Sequence, residues 1–317
     1  MSAPDAGAAV PVAAVEFCGL TLAHPIVNGS GTFDALAARR AFGDELMREF
    51  PFAAYVSKTI TLAPRAGNPP PRLWEAPAGL INSIGLPNKG LAGYLAEDLP
   101  ALAALGIGAR VPLITNVMGS SAEEIAQLLE ACERRPEIAA VELNVSCPNV
   151  DTGLDIGADP GELERVLSAV RARTAKPLIV KLTPNTADVA ACARGAERGG
   201  ADAVSLINTL RAMALAPRGG ARPWLGGRTG GLSGPAIRAV ALAQVAAVAA
   251  AVQVPVVGMG GVQSATHARQ LLDAGARLVA VGTESFRDPL AGARIARSLR
   301  AGARSEAAGH RAGSASV

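Results

Sequence analysis

Eight short apolar, β-rich runs recur along the chain, most of them ending in Gly, Asn or Lys. They are Pro25–Asn28, Ala54–Lys58, Leu113–Asn116, Val141–Asn144, Leu178–Lys181, Ala203–Asn208, Pro255–Gly258 and Leu278–Gly282. Segments with helical spacing lie between them, among them Ala122–Glu133, Pro160–Thr174, Ala187–Arg198, Pro235–Val252 and Ala265–Ala274. Strands alternating with helices imply parallel βαβ units. The runs are continuously apolar, as expected of strands buried on both faces. Eight units in 317 residues predict an α/β fold of the TIM (β/α)8 barrel type. An open, doubly wound sheet is the alternative, but Asn28-Gly-Ser-Gly-Thr32 after the first run lacks the GxGxxG spacing such a sheet usually shows.

Three further segments complete the organisation. Val15–Leu22 alternates loosely around Gly19 and reads as a short N-terminal β-hairpin that plugs the bottom of the barrel. Thr61–Gly90 is Pro-rich and Arg211–Gly231 is rich in Gly and Arg; both read as long loops, and loops of that length in a compact domain are usually functional. The expected layout is a flexible stretch at 1–10, one barrel domain over 11–300 and a low-complexity tail at 301–317.

Composition excludes several function classes. A net charge of +3 is too mild to argue for nucleic acid or a membrane surface. No apolar run is long and unbroken enough to span a bilayer, and residues 1–10 lack the pattern of a signal peptide. Cys18, Cys132, Cys147 and Cys192 are dispersed without a CxxC pair, so neither a disulfide framework nor a metal site is expected, and a reducing cytoplasm suits the chain.

In a barrel of this kind the active site forms where the strands end at their C-terminal side. The residues collected there are Ser30, Lys58, Asn116, Asn144, Cys147, Lys181, Asn208, Gly260 and Gly282. Val257-Gly-Met-Gly-Gly261 and Val281-Gly-Thr283 follow the last two strands, where backbone N–H groups can approach a phosphate. Such a turn can equally be a tight bend that needs glycine. Gly231-Leu-Ser-Gly234, ahead of a helix opening at Pro235, is a third candidate donor cluster. Lys181 either reaches solvent or faces an anion or an electron-rich ring, since a buried lysine without a partner is costly. Cys147 is either a small packing residue or a thiol tuned to act as a general base. The other three cysteines are assigned to packing.

The motifs Asn144–Asn149 (NVSCPN), Ser57–Thr59 (SKT), Gly67–Arg72 (GNPPPR), Asn82–Leu86 (NSIGL), Gly231–Gly234 (GLSG) and Gly258–Gly261 (GMGG) together resemble class 1 dihydroorotate dehydrogenases, over about residues 12–300. The resemblance implies FMN in the barrel mouth, with Ser30, Lys58, Thr59, Asn116, Asn144, Lys181, Ile207 and Gly234 around it and its phosphate on Gly260, Gly261, Gly282 and Thr283. It implies a dihydroorotate pocket made by Lys58, the Asn82, Ser83, Ile84, Gly85 and Leu86 loop, Asn144, Asn149, Asn208 and Thr209. Lys58 would neutralise the substrate carboxylate, and Cys147 would take the proton from C5 as orotate forms. An asparagine-lined pocket suits a flat, amide-rich ring, because each amide both donates and accepts.

Thr59–Asn68 and Pro77–Leu86 look more like the NAD-dependent type 1B enzyme than the fumarate-dependent type 1A. Type 1B implies a catalytic homodimer working with a second subunit that carries FAD and a [2Fe–2S] cluster. Four dispersed cysteines do not make such a cluster in this chain. A uracil- or thymine-reducing flavoenzyme shares the NxSCPN tag, and a phosphate-binding barrel without redox function is the reading from another class. One departure concerns the stretch after Phe33, Asp34–Gly43, where the family more often has glycine-aromatic-glycine. The shape of the loop there is therefore open.

Overall fold

The computed structural model describes residues 14–145, 156–217 and 221–301 of the 317. Both expected tails lie mostly outside these residues, as do Cys147 and Asn149.

Eight parallel strands form one sheet, which is the predicted barrel. In chain order they are Ile26–Asn28, Tyr55–Val56, Leu113–Val117, Ile138–Asn144, Leu178–Lys181, Ala203–Leu206, Val256–Met259 and Leu278–Val281. Neighbours run 1-8-7-6-5-4-3-2, all parallel, so only the seam between strands 1 and 2 lacks a ladder. The fourth strand starts three residues earlier than the sequence run predicted, because Ala139 and Ala140 are poor strand formers by propensity. Ala140 is nevertheless fully buried inside the barrel, where a small side chain fits.

The strands bury both faces. Outward residues such as Leu143, Val180, Val204 and Val281 pack under the helices. Inward residues such as Val27, Val56, Ile114, Ile179, Ala203 and Val257 form a separate inner core. This alternation is the period of two that a strand imposes.

The predicted hairpin is present, Val15–Phe17 paired with Leu20–Leu22. Cys18 and Gly19 at its tip both have positive φ, at 49° and 78°, as a two-residue turn between twisted strands favours. Phe17 and Leu22 are buried and join the inner core. The hairpin sits against the N-terminal strand ends: Cys18 Sγ donates to Asp202 O just ahead of the sixth strand, and Arg277 Nε donates to Glu16 O just ahead of the eighth. It is the floor of the barrel. Burial pushes the Cys18 thiol up to about 11, helped by the nearby Asp202 charge, and pushes Cys132 up to about 12. A half-buried Cys18 and a buried Cys132, both held protonated, suit the packing role assigned to them.

The two long loops are a correction. They contain a four-stranded antiparallel sheet in the order Leu210–Ala212, Gly230–Ser233, Gly79–Asn82, Leu73–Ala76. Gly231-Leu-Ser-Gly234 therefore does not simply open a helix. Its first three residues are strand, Pro235–Ile237 is a 3-10 turn, and the α-helix runs Arg238–Ala249. A small core of Ile81, Ala214 and Leu225 lies under this sheet, with Trp74 meeting Trp224 edge-on at 5.5 Å.

Candidate active site

Along the inward face the barrel changes from apolar to polar as the strands approach their C-terminal ends. Ile114 is followed two residues on by Asn116, Ala140 by Glu142 and then Asn144, Ile179 by Lys181, and Ala203 by Ser205. Residues two apart share a strand face, so these polar groups stand directly above the inner core. Asn116, Glu142, Asn144, Lys181 and Ser205 are all buried. Asn144, Lys181 and Ser205 stand side by side on three neighbouring strands.

Hydrogen bonds order this layer. Asn116 and Glu142 are opposite each other in register, and Asn116 Nδ2 donates to Glu142 Oε2. Ser205 Oγ donates to Glu142 Oε1 at 2.7 Å, which occupies both carboxylate oxygens. Asn116 Oδ1 is buried and has no hydrogen-bond partner among the described residues. An orphaned buried acceptor normally has a partner, so this one points to a ligand donor.

The expected residues around it come together in part through named contacts. Ser30 Oγ donates to Ser57 O at 2.8 Å and lies 3.4 Å from Thr59 Oγ1, tying the ends of the first two strands together. Lys58 follows the second strand, is exposed at the mouth, and forms no ion pair among the described residues. Loss of solvation holds its ammonium below the usual lysine range; the Asp34 charge opposes this and the Arg72 charge adds to it. Asp34 N-caps the helix Ala35–Phe42 by accepting from Ala37 N at 2.9 Å, so the segment where the sequence departs from the family pattern is helical.

The three glycine-bearing turns converge. A methyl group added to Gly261 would lie 2.9 Å from Gly234 O, and Thr283 Oγ1 donates to Ser233 Oγ at 2.8 Å. Gly260 has φ 137° and Gly261 φ 67°, and a Cβ on Gly260 would fall 2.5 Å from Ala241 Cβ. Only glycine fits there without strain. Gly282 has nothing but Thr32 Cγ2 near its missing side chain, which leaves the backbone open to an incoming group. Ile207 is buried beside Gly260, 3.4 Å from where that Cβ would be.

Asn82 and Thr209 reach the rim through the antiparallel sheet. Asn82 Nδ2 donates to Gly231 O at 3.2 Å, and a Cβ on Gly231 would fall on Thr209 Oγ1. Asn208 precedes Thr209, and its Oδ1 accepts from Thr209 N. Ser83 to Leu86 form the neighbouring loop. Ser83 is fully buried, and its Oγ accepts from Asn68 Nδ2 at 2.9 Å; Asn68 N donates to Ile84 O, and Asn88 Nδ2 donates to Leu86 O. Gly85 and Leu86 both have positive φ. Ser83 thus shapes the loop instead of facing the mouth openly.

Sequence reading overlooked Glu142 and Ser205, which lie inside strands, and Asn28 at the seam. The acid at 142 had a signal, a charge in the middle of an otherwise apolar strand. Among the described residues no group of His, Cys, Asp or Glu is placed to hold a metal ion, and no helix is long and apolar enough to cross a membrane.

The group that such a mouth would hold can be tested on these features. An orphaned amide oxygen suits a heterocyclic N–H, a buried lysine suits an electron-rich ring edge, and a glycine cradle suits a phosphate. FMN carries all three, and the residues fit it.

Comparison with known proteins agrees with this chemistry. The family model for dihydroorotate dehydrogenase matches residues 12–302. The chain is 44% identical over 290 residues to the dihydroorotate dehydrogenase B (NAD(+)) catalytic subunit of Geotalea uraniireducens, covering 91% of this chain and 92% of that one. It is 45% identical over 290 residues to the protein of the same name from Pelobacter propionicus, with the same coverage. The corresponding protein of Desulforudis audaxviator is 44% identical over 290 residues, covering 90% of this chain and 91% of its own.

Proposed function

The chain belongs to the dihydroorotate dehydrogenase family, and we propose that it is the catalytic subunit of the NAD+-linked enzyme, oxidising dihydroorotate to orotate in pyrimidine biosynthesis. The observation that carries the chemistry is the inward polar layer: Asn116, Asn144 and Lys181 above an apolar floor, beside the cradle of Gly234, Gly260, Gly261, Gly282 and Thr283.

In this reading the cradle would hold the phosphate of FMN by backbone N–H groups, and Ser30, Thr59, Asn116, Asn144, Lys181 and Ile207 would surround its ring. FMN, when bound, supplies the two-electron acceptor for the hydride that leaves substrate C6. Lys181 would place its ammonium group at the ring edge, where it would stabilise the charge that a reduced ring carries. Lys58 pairs with the substrate carboxylate. Asn82, Asn144, Asn149, Asn208 and Thr209 hold the flat ring by its N–H and C=O groups. The Cys147 thiolate takes the C5 proton. The hydrophobic floor and the surrounding strands exclude bulk water from one side of the site.

A partner subunit carrying FAD and a [2Fe–2S] cluster would supply the onward electron acceptor to a catalytic homodimer in the cytoplasm. Support for a partner comes from the names of the relatives, which are catalytic subunits.

The test is direct. Purified protein is examined for bound FMN, then assayed for dihydroorotate oxidation with fumarate alone and with NAD+ plus the co-purified partner. NAD+ turnover that depends on the partner is the expected result. Robust fumarate turnover by the lone chain would overturn the NAD+ assignment, and a colourless protein that takes up no FMN would overturn the flavoenzyme reading.

A further inference from the structure

Glu142 stands two residues before Asn144 on the same strand and opposite Asn116 in register. It lines a small interior cavity together with Phe17, Ile114, Ile179 and Met259, so its side chain points into the barrel. An acid in such apolar company needs partners. It has two, Asn116 Nδ2 and Ser205 Oγ, each donating to a different carboxylate oxygen.

A carboxylate oxygen only accepts, whereas an amide has one donating and one accepting end. With Glu142 on one side, Asn116 must turn its NH2 group toward the carboxylate. Its Oδ1 then faces the other way, and that oxygen is the buried acceptor without a partner among the described residues. The backbone of Asn116 is held as well, its N–H donating to Ser57 Oγ at 3.0 Å. The donor end of the amide is thus held by the carboxylate, on a backbone that Ser57 fixes.

We infer that Glu142 is a positioning residue that locks the Asn116 amide with its oxygen toward the mouth, so that this position offers the flavin an acceptor and never a donor. The oxidised flavin ring has a single N–H, at N3, and that is the group an inward-facing acceptor selects. The inference rests on the FMN reading above. It adds a residue that touches neither cofactor nor substrate but sets the polarity of one that does.

The test uses apoprotein, FMN with 15N in its ring, and Glu142→Met, which keeps the side-chain volume and removes the acceptor. Uptake is followed by quenching of FMN fluorescence, folding by thermal melting of the apoprotein, and the N3–H bond by its proton and nitrogen chemical shifts. Expected are a melting curve that still shows one cooperative transition, about tenfold weaker FMN binding for one loosened hydrogen bond, and an upfield move of the N3–H proton. An unchanged N3–H signal overturns the inference, whatever happens to affinity, because a purely structural acid would not move it.

If Glu142→Met does not fold, the double variant Asn116→Asp with Glu142→Gln decides the matter. There the donor and acceptor roles are exchanged within the pair, and an oxygen still faces the mouth. It should hold FMN with the N3–H proton still downfield, and loss of that signal overturns the inference. Wild-type apoprotein that takes up no FMN at all is a different failure, that of the flavoenzyme reading itself.

Discussion

The side chain of Asn28 pairs with the backbone of Val56 at both of its ends, Oδ1 accepting from Val56 N at 2.8 Å and Nδ2 donating to Val56 O at 2.7 Å. This is the pattern of a ladder, made by an amide side chain at the one place in the barrel where strand meets strand without one. Nearby, Ala53 N donates to Ile26 O at 2.9 Å. The seam therefore closes through this side chain together with that backbone bond, and the sequence must supply at position 28 a donor and an acceptor in fixed relation.

Asn28→Ala should open this seam. Val56 would lose partners for two buried backbone groups, each costing about 1–3 kcal/mol when left unmade. The expected result is a lower urea midpoint with a nearly unchanged slope. A midpoint equal to wild type would mean that the seam is held elsewhere.

Lys58 should govern recognition of the carboxylate. Loss of solvation already holds its ammonium below the usual range, so a paired anion raises its pKa again. Lys58→Met should weaken orotate binding about 10–100-fold, the loss expected for a charge-assisted hydrogen bond. Flavin spectral titration with orotate measures this. Uracil, which has no carboxylate, serves as the control and should bind the two proteins alike.

Cys147→Ser should slow flavin reduction by dihydroorotate at least 100-fold at neutral pH, within the usual contribution of a positioned base. In the wild type the rate should climb with pH as the thiol ionises, near 8.5 for an unperturbed cysteine. Anaerobic stopped-flow traces at several pH values test both statements. A serine variant with wild-type reduction rate would mean that another group takes the proton.

His24 should make stability depend on pH. Its Nδ1 accepts from Ile26 N at 3.3 Å, and burial, with the Arg300 charge, pushes its pKa from the ordinary 6.5 down to about 4. A neutral ring is required in the folded protein, while the unfolded chain binds the proton already near pH 6.5. The contribution is fully present above about pH 6.5 and is lost as pH falls toward 4. His24→Asn should flatten the fall in melting temperature between those values, measured by calorimetry against wild type.

The barrel was legible in the sequence because its signal is local and repeated: an apolar run, a polar end and a helix. The mouth was legible for the same reason, since the position of Asn116, Asn144 and Lys181 follows from strand ends alone. The small antiparallel sheet was hidden. Its pairs join Gly231 to Asn82 and Leu210 to Leu232, its strands are three or four residues long, and Gly79, Gly230 and Gly231 suppress any strand propensity. Glycine is required where Gly231 stands against Thr209, so the tight packing that builds the rim also erases its signature. The seam contact of Asn28 was equally invisible, being a tertiary pairing with no local pattern.

The hairpin floor has a further consequence. With Phe17 and Leu22 stoppering the far end, the described residues leave the barrel open toward the C-terminal ends of its strands. Whatever occupies the deepest layer, over Asn116 and Lys181, must arrive before anything that rests above it. On the flavin reading proposed above, cofactor would load before substrate, and a ring of the substrate's size seated early in apoprotein would obstruct loading from this side.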